Sequence, residues 1–213
     1  MEPLRMKKNG DGGLLITVCG LDGCGKTSML RRMVSDLRRL GQDIVVTKQP
    51  TEEMRKSDIF RTFMDCADHG NYDYRTLSLL AAADRIQHGR NVIEPALRSG
   101  KTVVSDRYFY SCLANLHARG FEWDRWIYEI SESVTEPDLA FFFDVPVETA
   151  VGRVRARPEE KDRYIDLDLQ HKLREKYLEI CRMNHGILIS SEGTEDETYQ
   201  RVFAALERKL AEK

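Results

Sequence analysis

The sequence predicts an α/β fold in three layers: one domain built on a five-stranded, mostly parallel sheet with helices on both faces. Three observations predict it. Short runs rich in β-branched and aromatic residues alternate with longer amphipathic stretches along the chain, the pattern of successive βα units. A glycine-rich turn stands directly between the first such run and the first amphipathic stretch. The 213 residues, with no linker-like interruption, suit a single core.

The elements follow in order. Residues 1–13 (MEPLRMKKNGDGG) are polar and glycine-rich and read as a flexible tail, with the domain proper spanning 14–213. Strands are predicted at 14–19, 44–47, 102–105, 139–144 and 187–190, each short, apolar and flanked by polar or glycine-bearing segments. Between them, helices are predicted at 26–40, 74–88, 91–99, 108–118, 147–156, 167–183 and 195–210, with Pro146 and Thr194 standing where helix starts are expected. Residues 153–163 (RVRARPEEKDR) are charge-dense, contain Pro158 and hold too few apolar positions for a buried element, so they read as a short mobile lid between two helices.

Composition removes several classes of function. Thirty-three Lys and Arg face 35 Asp and Glu, a net charge of −2, so the chain has no global footprint for nucleic acid or for an anionic membrane, and any anion it binds needs a local site. The five cysteines are odd in number, form no C-x-x-C pair and match no zinc spacing, which fits a reducing compartment. The first residues lack a secretory h-region, and the longest apolar run, at 139–145, has strand length; a cytoplasmic protein is expected. The five histidines show no ligand spacing. Trp123 and Trp126, three apart on an expected helix, read as packing or a subunit contact.

The chemistry begins at Gly20-Leu21-Asp22-Gly23-Cys24-Gly25-Lys26-Thr27, a G-x-x-x-x-G-K-[ST] string placed after a strand and before a helix, with Ser28 next in the helix. Glycines let consecutive N–H groups curl around one anion, the helix N-terminus adds partial positive charge, and Lys26 supplies a full charge near the β- and γ-phosphates of ATP. Thr27 offers its hydroxyl to Mg²⁺. Cys24 reads as a small side chain at a variable loop position. The chain has neither the N-K-x-D string of GTPases nor an LSGGQ-type signature, which leaves small-molecule kinases.

Several further segments, taken in order with the phosphate loop, resemble thymidylate kinases of the bacterial and archaeal type, P-loop nucleoside monophosphate kinases with arginines in the lid. They are TKQP (47–50), AADRIQH (82–88), VIEPAL (92–97), SDRYFYS (105–111), PDLAFFFDVPVETA (137–150) and the charged segment 153–163; the resemblance runs from about Leu14 to Tyr199. It implies transfer of the γ-phosphoryl group of ATP to dTMP, with Mg²⁺, in a homodimer. It implies that Arg107 holds the acceptor phosphate, that Asp106 orders Mg²⁺ through water, that Asp22 contacts the sugar 3′-hydroxyl and that Arg85 reads the thymine edge. One of Arg153, Arg155 and Arg157 closes over the donor phosphates, and the sequence does not separate the three.

The acceptor side departs from that pattern. Ala81 stands where the family has a base-stacking phenylalanine, Asn115 where it has an aromatic that excludes a 2′-hydroxyl, and Cys112, beside Ser111, replaces a polar or small residue near the base. Lys48 and Gln49 replace arginine and glutamate. Stacking from Tyr72, Tyr108, Phe109 or Tyr110 is the expected compensation, and Asn115 is expected to be able to bond a 2′-hydroxyl. Three readings therefore stand: dTMP as acceptor; another nucleoside monophosphate such as dUMP, UMP or a modified nucleotide; and a nucleotide-binding module that turns over weakly.

Overall fold

The computed structural model describes residues 1–66, 68, 69 and 72–211. Five strands, β1 (Leu14–Gly20), β2 (Ile44–Lys48), β3 (Thr102–Asp106), β4 (Leu139–Asp144) and β5 (Ile187–Ser190), form one sheet in the order β2-β3-β1-β4-β5. Every pairing is parallel, so the sheet is wholly rather than mostly parallel. β1 is the central strand and every residue in it is buried, as a strand covered on both faces must be.

Helices α1 (Lys26–Arg39), α2 (Glu52–Lys56), α3 (Asp58–Asp65), α4 (Tyr74–His88), α5 (Glu94–Arg98), α6 (Tyr110–Ala118), α7 (Trp126–Ser131), α8 (Val147–Arg155), α9 (Leu167–Met183) and α10 (Glu195–Ala211) surround it. α1 packs on α10 at one side of the sheet; α6 packs between α4 and α9 at the other. The short α2 and α3 were not expected, because five to eight residues give too little periodicity to read, and the helix expected around Trp123 and Trp126 begins only at Trp126. α4 and α5 are joined by a π-helical segment, Gly89–Ile93, instead of a break. Pro95, at the start of α5, has no N–H to donate into the α ladder. α6 begins at Tyr110, not 108: Tyr108 turns inward and its hydroxyl donates to the Thr135 carbonyl at 2.7 Å.

Residues 1–13, expected as a flexible tail, are docked. Lys7 N–H donates to the Val134 carbonyl and Glu136 N–H returns to the Lys7 carbonyl, while the Leu4 and Arg5 N–H groups donate to Asn184 Oδ1 and Ser131 Oγ. Composition missed this because the docking uses backbone groups and few apolar side chains. Trp123 lies ahead of α7 and is 90% exposed, whereas Trp126 packs against the core.

The parallel register puts the carboxyl ends of the strands along one edge. Val18 and Lys48 both stand opposite Asp106, and Gly20 stands opposite Phe143. That edge, where the phosphate loop leaves β1 and Arg107 leaves β3, is where open parallel sheets bind ligands.

Candidate functional site

The loop from Gly20 to Gly25 is shaped by its glycines. Gly20 and Gly23 have φ of +135° and +83°, and a Cβ there would meet the Phe143 and Ala150 carbonyl oxygens at 2.4 and 2.1 Å. Only hydrogen fits at either position. The loop delivers the chain into α1, whose N-cap is Gly25 and whose first turn carries no acid to compete for an anion. Lys26 is buried and its ammonium donates to the Leu21 and Gly20 carbonyls at 2.5 and 3.1 Å. Thr27 is exposed on the adjoining cavity. Cys24, expected among the ATP-binding residues, points away from that cavity: its side chain is buried under the loop with Sγ 3.6 Å from Lys26 Nζ.

β3 ends in Asp106 and Arg107, and Arg107 has φ of +68°, the left-handed region that a non-glycine residue occupies at a cost of about 1–2 kcal/mol. Two bonds hold it there: its N–H donates to the Val18 carbonyl at 2.8 Å, and Ser105 Oγ donates to its carbonyl at 2.7 Å. The twist turns the guanidinium toward the phosphate loop, where it donates to the Gly20 carbonyl at 3.2 Å, to the Tyr177 hydroxyl at 3.1 Å and to Asp22. Tyr177 in turn donates to Ser111 Oγ at 3.0 Å. Asp106 pairs through one oxygen with Lys48 at 3.3 Å, and its other oxygen is buried with no hydrogen-bond partner among the described residues.

Asp22 is shared by Arg107 and, at 3.2 Å, by Arg163. Burial pushes its carboxyl up, but the charges of Arg107, Lys26 and Arg163 together outweigh burial and hold it well below the usual carboxylate range. Arg163 lies in the predicted lid but was not among the three arginines proposed from it. Its own tie to Glu160 at 3.1 Å braces it. Arg153 and Arg157 border the cavity, Arg153 donating to the Ser191 carbonyl at 3.1 Å; Arg155 does not border it. Two steps from Arg153 along α8 turn a side chain about 200° around the helix, onto the opposite face.

These groups open on one cavity of about 680 Å³, which also takes in the expected acceptor residues Lys48, Gln49, Ala81, Arg85, Ser111, Cys112 and Asn115. Arg85 is buried on α4 and donates to the Ala81 and Tyr108 carbonyls at 2.9 and 3.4 Å. Burial raises the Cys112 thiol above its ordinary value. The four aromatics expected to compensate for Ala81 do not reach the cavity. Tyr108, Phe109 and Tyr110 are core residues, Tyr110 tilted against Phe142 at 5.2 Å, and Tyr72 lies exposed away from it. The aromatic wall comes instead from Phe63 of α3 and Tyr74 of α4, edge to face at 5.1 Å, with Phe60 alongside. Asn115 borders the cavity and already has partners. Its amide donates to the Ser111 carbonyl and accepts from Arg119, both at 2.9 Å, and Arg119 stacks 4.0 Å from the Tyr74 ring. Arg119 and Tyr177 also border the cavity, and no motif signalled either.

Among the described residues no cluster of three or more His, Cys, Asp or Glu could hold a metal ion, and no helix is long and apolar enough to cross a membrane. A Mg²⁺ ion that accompanies a nucleotide takes part of its ligands from the phosphates. The partnerless Asp106 oxygen and the open Thr27 hydroxyl, both on the cavity, fit an ion held in that way.

Comparison with known proteins agrees with this geometry. A family model described as thymidylate kinase matches residues 18–202. A probable thymidylate kinase of Thermococcus kodakarensis is 33% identical over 205 residues, covering 93% of this chain and 100% of the relative. Those of Thermococcus onnurineus and Pyrococcus abyssi are each 32% identical, covering 92% and 93% of this chain and 98% of each relative.

Proposed function

The chain belongs to the thymidylate kinase family, and from that premise we propose that it transfers the γ-phosphoryl group of ATP to dTMP, yielding ADP and dTDP. The observation that supports this most is that a donor-phosphate loop and a twisted, doubly braced Arg107 face one cavity whose other end is lined by Arg85, Phe63 and Tyr74. One end suits triphosphate, the other a planar base with a phosphate pointing back.

In this reading Lys26 exchanges its loop carbonyls for donor phosphate oxygens, and Arg107 takes the acceptor phosphate. That phosphate is already ionised near neutral pH, so no general base is needed and the protein's work is alignment and charge neutralisation. An acceptor oxygen forms its bond to the γ-phosphorus as the bond to the β,γ-bridging oxygen breaks, and the electron pair leaves on ADP. Arg163, with Arg153 and Arg157, supplies positive charge from the lid as charge moves toward the bridging oxygen. Asp22, kept ionised between arginines, accepts a hydrogen bond from the sugar 3′-hydroxyl. Mg²⁺, when bound, neutralises charge on the β- and γ-phosphates; the Thr27 hydroxyl would hold it directly and Asp106 through water. We further propose a homodimer formed on the α4 face that exposes Leu79 and Leu80, working in a reducing compartment where all five cysteines stay free.

Ala81, a small side chain on the acceptor part of the cavity, keeps one second reading in view, a different nucleoside monophosphate as acceptor. ADP release with MgATP across dTMP, dUMP, UMP, dCMP, CMP, dGMP and dAMP decides. A clear preference for dTMP supports the proposal, preference for another nucleotide moves the assignment to it, and no turnover with any leaves a binding module.

A further inference from the structure

Tyr177 of α9 is buried beside the cavity, and its hydroxyl lies between two partners. It accepts from Nη1 of Arg107 at 3.1 Å and donates to Ser111 Oγ, at the start of α6, at 3.0 Å. A phenol carries one proton, so with that proton on Ser111 the oxygen turns its lone pairs to the guanidinium. Burial pushes the phenol up to about 12, which keeps it protonated at neutral pH.

The helix that delivers this hydroxyl is fixed on either side of it. One turn earlier Arg174 donates to both oxygens of Asp144, the last residue of β4, at 2.7 and 2.8 Å. One turn later Ile180 and Cys181 are buried, and the Tyr177 ring itself stands edge-on to Phe142 at 6.5 Å. The arginine it meets has its donors divided. Nη1 has two protons, and the two acceptors printed on it are neutral and built into the fold: the Gly20 carbonyl at 3.2 Å and Tyr177. Nη2 goes to Asp22, the partner that the proposed reaction shares with the sugar hydroxyl. With Nη1 anchored, the planar guanidinium keeps its orientation, and its Nε–Nη2 edge is the one left to grip an anion with two parallel bonds.

We propose that Tyr177 is a positioning residue for the transfer: with its proton held by Ser111, it anchors Nη1 of Arg107 so that the Nε–Nη2 edge meets the acceptor phosphate. The inference rests on the assignment of that phosphate to Arg107 above. Its test is steady-state kinetics with dTMP and ATP, together with equilibrium binding of dTMP and of thymidine, for the wild type, Tyr177→Phe, Ser111→Ala, Arg107→Met and the double variant of Tyr177→Phe with Arg107→Met, all well below their melting ranges. Tyr177→Phe keeps the ring and removes one oxygen. It should lower kcat about 10- to 100-fold, the loss expected when a reacting group is held out of line, while KM for dTMP stays within about threefold because the guanidinium charge remains. KM for ATP and thymidine binding should stay within about twofold. Ser111→Ala should lower kcat by a smaller factor, since the phenol proton is then free to turn toward Arg107. In the Arg107→Met background Tyr177→Phe should cost less than about twofold, because both act through one guanidinium.

A Tyr177→Phe enzyme whose kcat stays within about threefold of the wild type overturns the proposal. So does a full loss from Tyr177→Phe in the Arg107→Met background, or equal weakening of dTMP and thymidine, either of which marks a packing role. If Arg107→Met itself keeps full turnover, the phosphate assignment fails and this inference with it; if Arg107→Met is crippled and Tyr177→Phe is not, this inference alone fails. If the wild type prefers another monophosphate, the same comparison with that nucleotide and its nucleoside decides the role of Tyr177.

Discussion

Replacing Arg107 with methionine removes the guanidinium while keeping most of the side chain's length and the left-handed backbone. Two charge-assisted hydrogen bonds are lost, to the Gly20 carbonyl at 3.2 Å and the Tyr177 hydroxyl at 3.1 Å, together with the pairing to Asp22. At about 1.5 kcal/mol for each charge-assisted bond, and about 1 more for an ion pair whose carboxylate keeps Arg163 and is partly exposed, the cost is about 4 kcal/mol. For a chain of this size that lowers Tm by about 9 °C. The effect on activity should be larger. If Arg107 grips the acceptor phosphate with two charge-assisted bonds at about 1.5–3 kcal/mol each, kcat/KM for dTMP falls about 10²- to 10⁴-fold. A coupled ADP-release assay below the melting range, with KM for ATP measured beside it, separates the two effects. The ATP value should stay near that of the wild type, because the donor phosphates rest on α1. A variant that keeps kcat/KM for dTMP within about tenfold would refute the reasoning, and one that loses ATP and dTMP affinity equally would show that Arg107 only supports the loop.

Lys26→Met should lower kcat by about 10²-fold or more while dTMP binding without ATP stays unchanged, since a donor-side charge is lost. Asp22→Asn separates the proteins by pH. The Asp22 carboxyl is held well below its ordinary value, so its stabilisation is complete above about pH 5 and drains as the pH falls through about 4 and below; the Tm gap between wild type and variant should close over that acid range and stay constant near neutrality. Gly23→Ala forces a Cβ to 2.1 Å from the Ala150 carbonyl at φ +83° and should cost about 2–4 kcal/mol in thermal unfolding and abolish ATP binding. Gly152→Ala is its control: a Cβ there meets nothing within 4 Å inside α8, and Tm should hold or rise by about 2–3 °C.

The parts of this molecule that the sequence revealed share a physical basis. β1, β4 and β5 are apolar runs between polar breaks, and their expected bounds lie within one residue of the observed strands. The phosphate loop was legible because Gly20 and Gly23 are required by backbone clashes, which leave their mark in the sequence as glycines. What stayed hidden depends on contacts between distant segments. Arg163 was passed over among the lid's arginines because nothing local says that it reaches Asp22, 141 positions away. Arg155 was included because its sequence neighbours were, although a two-residue step on a helix reverses the facing. Phe63 and Tyr74 went unread because α3 has only eight residues and α4 wears its aromatic at its first position. The acceptor end holds a further contact that no local pattern shows: Arg119, one turn after Asn115, donates to its amide oxygen. Donor recognition needs a loop of consecutive residues and so can be read along the chain. In the proposed reading, acceptor recognition draws on β2, α3, α4, α6 and the lid, and only the folded arrangement shows which of their side chains are already committed to one another.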